Sequence, residues 1–104
     1  MKYWSAHQCK VFIETEKVLT IDIREPYEFQ QVNCGFTNIP MDLLMNYLES
    51  KDRNTPIILL CHSGKRSQAA GNLIETELGF SDVIIVEHGI KGWQIEVDPS
   101  LKLD

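Results

Sequence analysis

The chain has 104 residues, a length that suits one domain, with a core that needs neither metal nor disulfide to hold it. Ten Lys and Arg against fifteen Asp and Glu leave a formal net charge of −5. That balance argues against nucleic acid or an anionic membrane as the main partner, since either favours a basic face.

Three cysteines, Cys9, Cys34 and Cys61, are too widely spaced for a disulfide framework and lack the paired spacing of zinc ligands. No stretch approaches the roughly 18 apolar residues of a membrane span. The start, MKYWSAHQCK, has no apolar run long enough for a signal peptide. Free thiols in a reducing cytoplasm are therefore expected. Without internal repeats or Gly/Ser/Pro-rich linkers, residues 1–104 read as a single domain.

The first predicted element is a helix. Ser5 and Gln8 have the spacing of a capping box, and Trp4 stands where a hydrophobic staple would meet Cys9. Cys9, Phe12 and Ile13 share one face, so Cys9 reads as core. VLTIDI, residues 18–23, is a short β-branched run expected to be a strand buried on both faces, with Asp22 and Arg24 at its carboxyl end. Pro26 suits the first turn of a short helix over 25–32. NCGFTNIP is expected to be irregular. A helix over about 42–50 is expected to bury Leu43, Leu44, Tyr47 and Leu48.

PIILLC, residues 56–61, predicts a second buried strand, and a helix is expected from about Ser67 to Leu78. Its apolar stripe is Ala69, Ala70, Leu73, Ile74 and Leu78, and Gly79 fits the left-handed position beyond its end. DVIIVE, residues 82–87, is the third clear strand, and HGIKGW leads into a short final segment. Strands alternating with helices predict a parallel sheet covered on both faces. In such sheets chemistry sits beyond the carboxyl ends of the strands. Asp22, Cys61 and His88 all fall at or just past such ends.

CHSGKRS, residues 61–67, must reverse the chain from strand to helix in a few residues, with Gly64 free to adopt a conformation others resist. Such a turn can aim successive backbone amides inward, and the following helix adds its free amides and positive dipole end. A sulfur in that cup is favoured as thiolate, and Lys65 and Arg66 add positive potential. Arg66 can also aim its planar fork at an anionic substrate. Ser67 can cap the helix and offer its hydroxyl to the cup. A buried structural cysteine is the plain alternative, but it would not need Gly, Lys, Arg and Ser immediately after it.

IDIREPYEF, NIP, LLCHSGKRSQAA, LGF and GIKGW, in that order from about Trp4 to Trp93, resemble the single-domain rhodanese-like sulfurtransferases. The resemblance implies a three-layer α/β/α fold around a central, mainly parallel sheet of about five short strands. It implies that Cys61 takes the outer sulfur of thiosulfate or of another persulfide and carries it as a persulfide. The amides of His62, Ser63, Gly64, Lys65, Arg66 and Ser67 would hold that persulfide. An acceptor thiol or a sulfur-relay protein then removes the sulfur by double displacement, with no metal or organic cofactor. Asp22 and Arg24 match the family's Asp-x-Arg and are expected to tie neighbouring loops. Trp93 is expected to pack, and the His62 side chain to face solvent.

The cell-cycle dual-specificity phosphatases share this fold but use Cys-x5-Arg. Here Cys61 and Arg66 form Cys-x4-Arg, a smaller cradle suited to one sulfur. A relay or docking module is the alternative to free turnover, because fold alone does not fix activity. A phosphatase or arsenate reductase ranks below both. Two segments depart from the family pattern. Asn33 stands where a histidine is common, in a stretch about one residue short, and His88 replaces the first glycine of Gly-Gly. Cys34 lies in the first departure and reads as a packed or surface cysteine ahead of a resolving thiol.

Overall fold

The computed structural model describes residues 1–103. Five strands, β1 (Lys2–Trp4), β2 (Leu19–Asp22), β3 (Thr37–Asn38), β4 (Ile57–Leu60) and β5 (Val83–Val86), form one sheet in the order β1-β5-β4-β2-β3. Every pairing is parallel. The helices are α1 (Ala6–Thr15), α2 (Pro26–Gln31), α3 (Met41–Leu48), α4 (Lys65–Leu73) and α5 (Gly89–Glu96). A wider π turn over Ile74–Leu78 extends α4.

Side-chain alternation in the central strands divides the core in two. Ile57 and Leu59 of β4, with Val83 and Ile85 of β5, meet Leu44 and Leu48 of α3 and Ala70 of α4. Ile58, Leu60, Ile84 and Val86 face the other way, onto Ala6 and Cys9 of α1 and Ile90 and Trp93 of α5. A period of two thus buries both faces, which is why these strands read as unbroken apolar runs. The sequence expectation of a three-layer α/β/α domain with about five strands is met. No helix among the described residues is long and apolar enough to cross a membrane.

Local chemistry explains the element ends. The Ser5–Gln8 capping box makes both of its bonds, with Ser5 Oγ accepting from Gln8 N at 3.2 Å and Gln8 Oε1 from Ser5 N at 2.9 Å. Trp4 packs edge-on against Phe12, with ring centroids 5.2 Å apart. Pro26 is the first residue of α2, and Gly79 closes the π turn at φ 74°.

Several expectations need correction. The first is that β1 and β3 escape the sequence, being three and two residues long and defined by their partners rather than by an apolar run. The second is that α4 begins at Lys65, two residues before Ser67, because Gly64 at φ 103° turns the chain into the helix. In consequence the buried stripe of α4 is Ser67, Ala70, Gly71 and Ile74, and Ala69 and Leu73 face solvent. On α3, Leu44 and Leu48 are buried, one turn apart, and Leu43 is turned outward. Finally, the short final segment that HGIKGW leads into is an eight-residue helix, α5, which opens just after His88.

Candidate active site

The carboxyl ends of β2, β4 and β5 lie side by side, and Asp22, Cys61 and His88 stand at or just beyond them. Cys61 follows β4 directly and is buried, 1 % exposed. The loop over His62–Gly64 then bends back over it. Cys61 Sγ accepts hydrogen bonds from Gly64 N at 3.0 Å and Ser67 N at 3.4 Å. The second donor belongs to the first turn of α4, whose N–H groups have no partner inside the helix. Two amides thus donate to this sulfur, the second from the turn that carries the positive end of the helix dipole.

Ser67 is not the cap expected from the sequence. It sits in the first turn of α4, fully buried, and its hydroxyl has no hydrogen-bond partner among the described residues. Ser63 and Lys65 are exposed, and they line a shallow cavity with Gly64 and His88. His62 is half-buried and does not simply face solvent. It lines a cavity of about 160 Å³ with Arg24, Tyr27, Glu28, Gln31, Val32, Lys102 and Leu103.

Arg66 points its fork at another residue of the chain. Its Nη1 and Nη2 donate to Glu28 Oε1 at 2.9 Å and Oε2 at 3.0 Å. The hydrogen bonds from Arg66 hold the Glu28 carboxyl well down, to about 2, against the opposing effect of burial. Glu28 also accepts from Glu25 N at 3.0 Å, which fixes its place at the start of α2.

Asp22 and Arg24 form a second, fully buried pair. Arg24 Nε and Nη2 donate to the Asp22 carboxylate at 3.0 and 2.8 Å, and Arg24 N donates to Oδ1 at 3.0 Å. The guanidinium continues to the carbonyl oxygens of Val32, at 2.7 Å, and Glu28, at 3.4 Å. This pair ties the end of β2 to both ends of α2. Asn38 Nδ2 adds bonds to the carbonyls of Asp22 and Arg24, both at 3.0 Å.

Behind the cup, α5 meets the Cys61 loop at Gly89. Its φ is 57°, and a Cβ there would fall on the carbonyl oxygens of Cys61 and His62. Ile90 N donates to the Cys61 carbonyl at 2.9 Å. His88, before it, is the only non-glycine residue described with positive φ, at 61°. The glycine normally expected there would hold this conformation without strain.

The other two thiols are packed in the α1–α5 half of the core. Burial pushes Cys9 up to about 12, with the negative charges of Glu87 and Glu96 adding to it. Burial also pushes Cys34 up to about 12, and Cys34 packs near Phe36 and Trp93. A neutral, packed thiol supports the reading of Cys34 as structural.

The family's sequence model for the rhodanese-like domain matches residues 5–96. The chain belongs to the rhodanese-like domain family. Curated relatives of this rhodanese-like chain include the protein named thiosulfate sulfurtransferase GlpE of Tolumonas auensis, 26% identical over 86% of this chain and 85% of that one. The GlpE protein of Pseudoalteromonas translucida is 29% identical over 89% of each. A Bacillus subtilis protein named putative sulfur carrier protein YrkF is 30% identical over 75% of this chain but only 42% of its own length. Among solved structures, a rhodanese-like domain protein from Staphylococcus aureus superposes with a TM-score of 0.80 at 26% identity, covering 100% of this chain and 99% of that one. A rhodanese-related protein from Thermoplasma volcanium gives 0.80 at 27% identity, with both chains fully covered.

Glu28, Gly89, Tyr27, Gln31 and Lys102 were not among the expected site residues. Glu28 carried a faint signal, as an acid in the REPYEF stretch, but its partner Arg66 is 38 residues away. Gly89 was visible as a glycine past a strand end. Lys102 carried no signal, because its place depends on the path of the tail.

Proposed function

We propose that this rhodanese-like protein is a sulfurtransferase that carries a sulfane sulfur on Cys61. The observation that supports this most is the Cys61 sulfur, set at the end of β4 and facing the amides of Gly64 and Ser67. The relatives named thiosulfate sulfurtransferase make thiosulfate the first donor to consider. The Cys61 thiolate attacks the outer sulfur of thiosulfate. A new S–S bond forms at Sγ, the bond to the sulfonate breaks, and sulfite leaves with the electron pair. The persulfide left on Cys61 keeps the negative charge, and the loop amides compensate it. An acceptor thiolate then attacks the outer sulfur and frees the Cys61 thiolate.

His62, Ser63, Gly64, Lys65, Arg66 and Ser67 are the proposed binding loop, chiefly through backbone. Asp22 and Arg24 hold the neighbouring loop in place rather than touch the sulfur. The short Cys-x4-Arg span, the near-complete burial of Cys61 and the engagement of Arg66 by Glu28 favour a slim terminal sulfur over a phosphoryl group. Three free thiols support a reducing, cytoplasmic setting. The likeness to a protein named as a sulfur carrier supports a protein thiol as an alternative acceptor.

Intact-mass measurement tests the proposal. Thiosulfate is expected to add one sulfur, about 32 Da, to the wild-type chain and nothing to Cys61→Ser. Equal uptake by the variant would move the sulfur to another site.

A further inference from the structure

The sequence assigns recognition of an anionic donor to Lys65 and Arg66. The structure redistributes those charges. Arg66 is held bidentate by Glu28, and Lys65 is not on the cavity that His62 lines; it lines a separate one with Ser63, Gly64 and His88. Both charged groups on the inner wall of that cavity are already matched. Arg24 is balanced by Asp22, and Glu28 by Arg66. Lys102 is the remaining cation on the wall, and it has no ion-pair partner among the described residues.

Lys102 is not there by chance of a loose tail. Leu101 and Leu103, on either side of it, pack into the α1–α5 half of the core, near Cys34 and Trp93. Gln94 Nε2 donates to the Leu101 carbonyl at 2.6 Å, and Leu101 N to the Asp98 carbonyl at 3.2 Å. These anchors lead the chain back past α2 and put residue 102 on the same cavity as His62, the residue that follows Cys61. Tyr27 and Gln31 contribute further hydrogen-bonding groups from α2.

We infer that this cavity, with Lys102 as its charge, takes the sulfonate head of the sulfur donor while the donor's outer sulfur faces Cys61. This rests on the sulfur-loading role of the Cys61 loop. The cavity, at about 160 Å³, suits a small oxyanion rather than a peptide. Lys102 is solvent-exposed, so its pull on the donor is modest and weakens with salt.

Two measurements test the inference. In the first, Cys61 persulfide formation is followed by mass spectrometry at increasing thiosulfate. Lys102→Gln is expected to raise the half-saturating concentration about three- to fivefold, with the limiting rate kept. Lys102→Arg is expected to restore it. Lys17→Gln, which removes the same charge ahead of the amino end of β2, is expected to leave it unchanged. An unchanged half-saturation in Lys102→Gln overturns the inference. In the second, Cys61→Ser is titrated with thiosulfate by NMR. Saturable amide shifts at Tyr27, His62 and Lys102 are expected, and are weakened by Lys102→Gln. Their absence overturns the cavity even where wild-type protein loads sulfur. Loading failure with these shifts intact would instead sink the catalytic reading and leave the anion site standing.

Discussion

At the residue scale, the Glu28–Arg66 contact is the feature most open to measurement. A planar guanidinium meets both carboxylate oxygens, so the pair fixes the first turn of α4 against α2. The folded Glu28 carboxyl titrates near 2, below its ordinary value of 4.5. A lowered carboxyl contributes stability above the unfolded value and loses it as pH falls toward the folded one. The loss should therefore run from about pH 4.5 down to about pH 2. Arg66 is more than a third exposed, so solvent screening limits the contribution to about 1 kcal/mol. Glu28→Gln should be less stable than wild type at pH 7 by that amount, with the gap closing toward pH 2.5. Urea unfolding at a series of pH values checks this, and parallel curves for the two proteins would count against it.

At the element scale, the site depends on how two helices start. Ser67 looked like the cap of α4 because serine is a common cap, but a glycine with positive φ, Gly64, caps the helix three residues earlier. That shift places Lys65 and Arg66 on the helix rather than in the loop, and it turns the Ser67 hydroxyl inward. The residues of the cup were legible in the sequence; their division between loop and helix was not, since only the backbone angle of Gly64 sets it. The start of α5 is the other support. Gly89→Ala combines an unfavourable φ with a collision against the Cys61 and His62 carbonyls. Gly79→Ala has a similar φ, 74°, but open space around it. Gly79→Ala should cost about 1–2 kcal/mol, the left-handed penalty alone. Gly89→Ala should cost about 1 kcal/mol or more beyond that, and it should slow sulfur loading on Cys61. Thermal unfolding and loading rates of the two variants separate the effects. Equal stability losses with equal loading would show that α5 does not brace the loop.

At the scale of the whole molecule, the sheet was legible at its centre and not at its edges. PIILLC and DVIIVE declare themselves because both of their faces are buried, so no polar alternation interrupts them. Lys2–Trp4 and Thr37–Asn38 are strands only because β5 and β2 pair with them. The cavity wall at Lys102 was beyond reach for a related reason, since it joins residues 40 to 78 positions away in sequence, from His62 back to Arg24. The same contrast predicts a gradient of stability. β4 is paired on both sides, and its four side chains are fully buried, whereas β1 and β3 have one partner each. Amides in β4 should then exchange with solvent only on global unfolding, with the urea dependence of the whole domain. Those of β1 and β3 should exchange through local opening that urea barely affects. Cys61 hangs directly from β4, so its sulfur is referenced to a strand at the centre of the sheet. Residue-resolved hydrogen exchange in low urea tests this order, and β4 amides that exchange as fast as those of β1 would show that the cup has no such anchor.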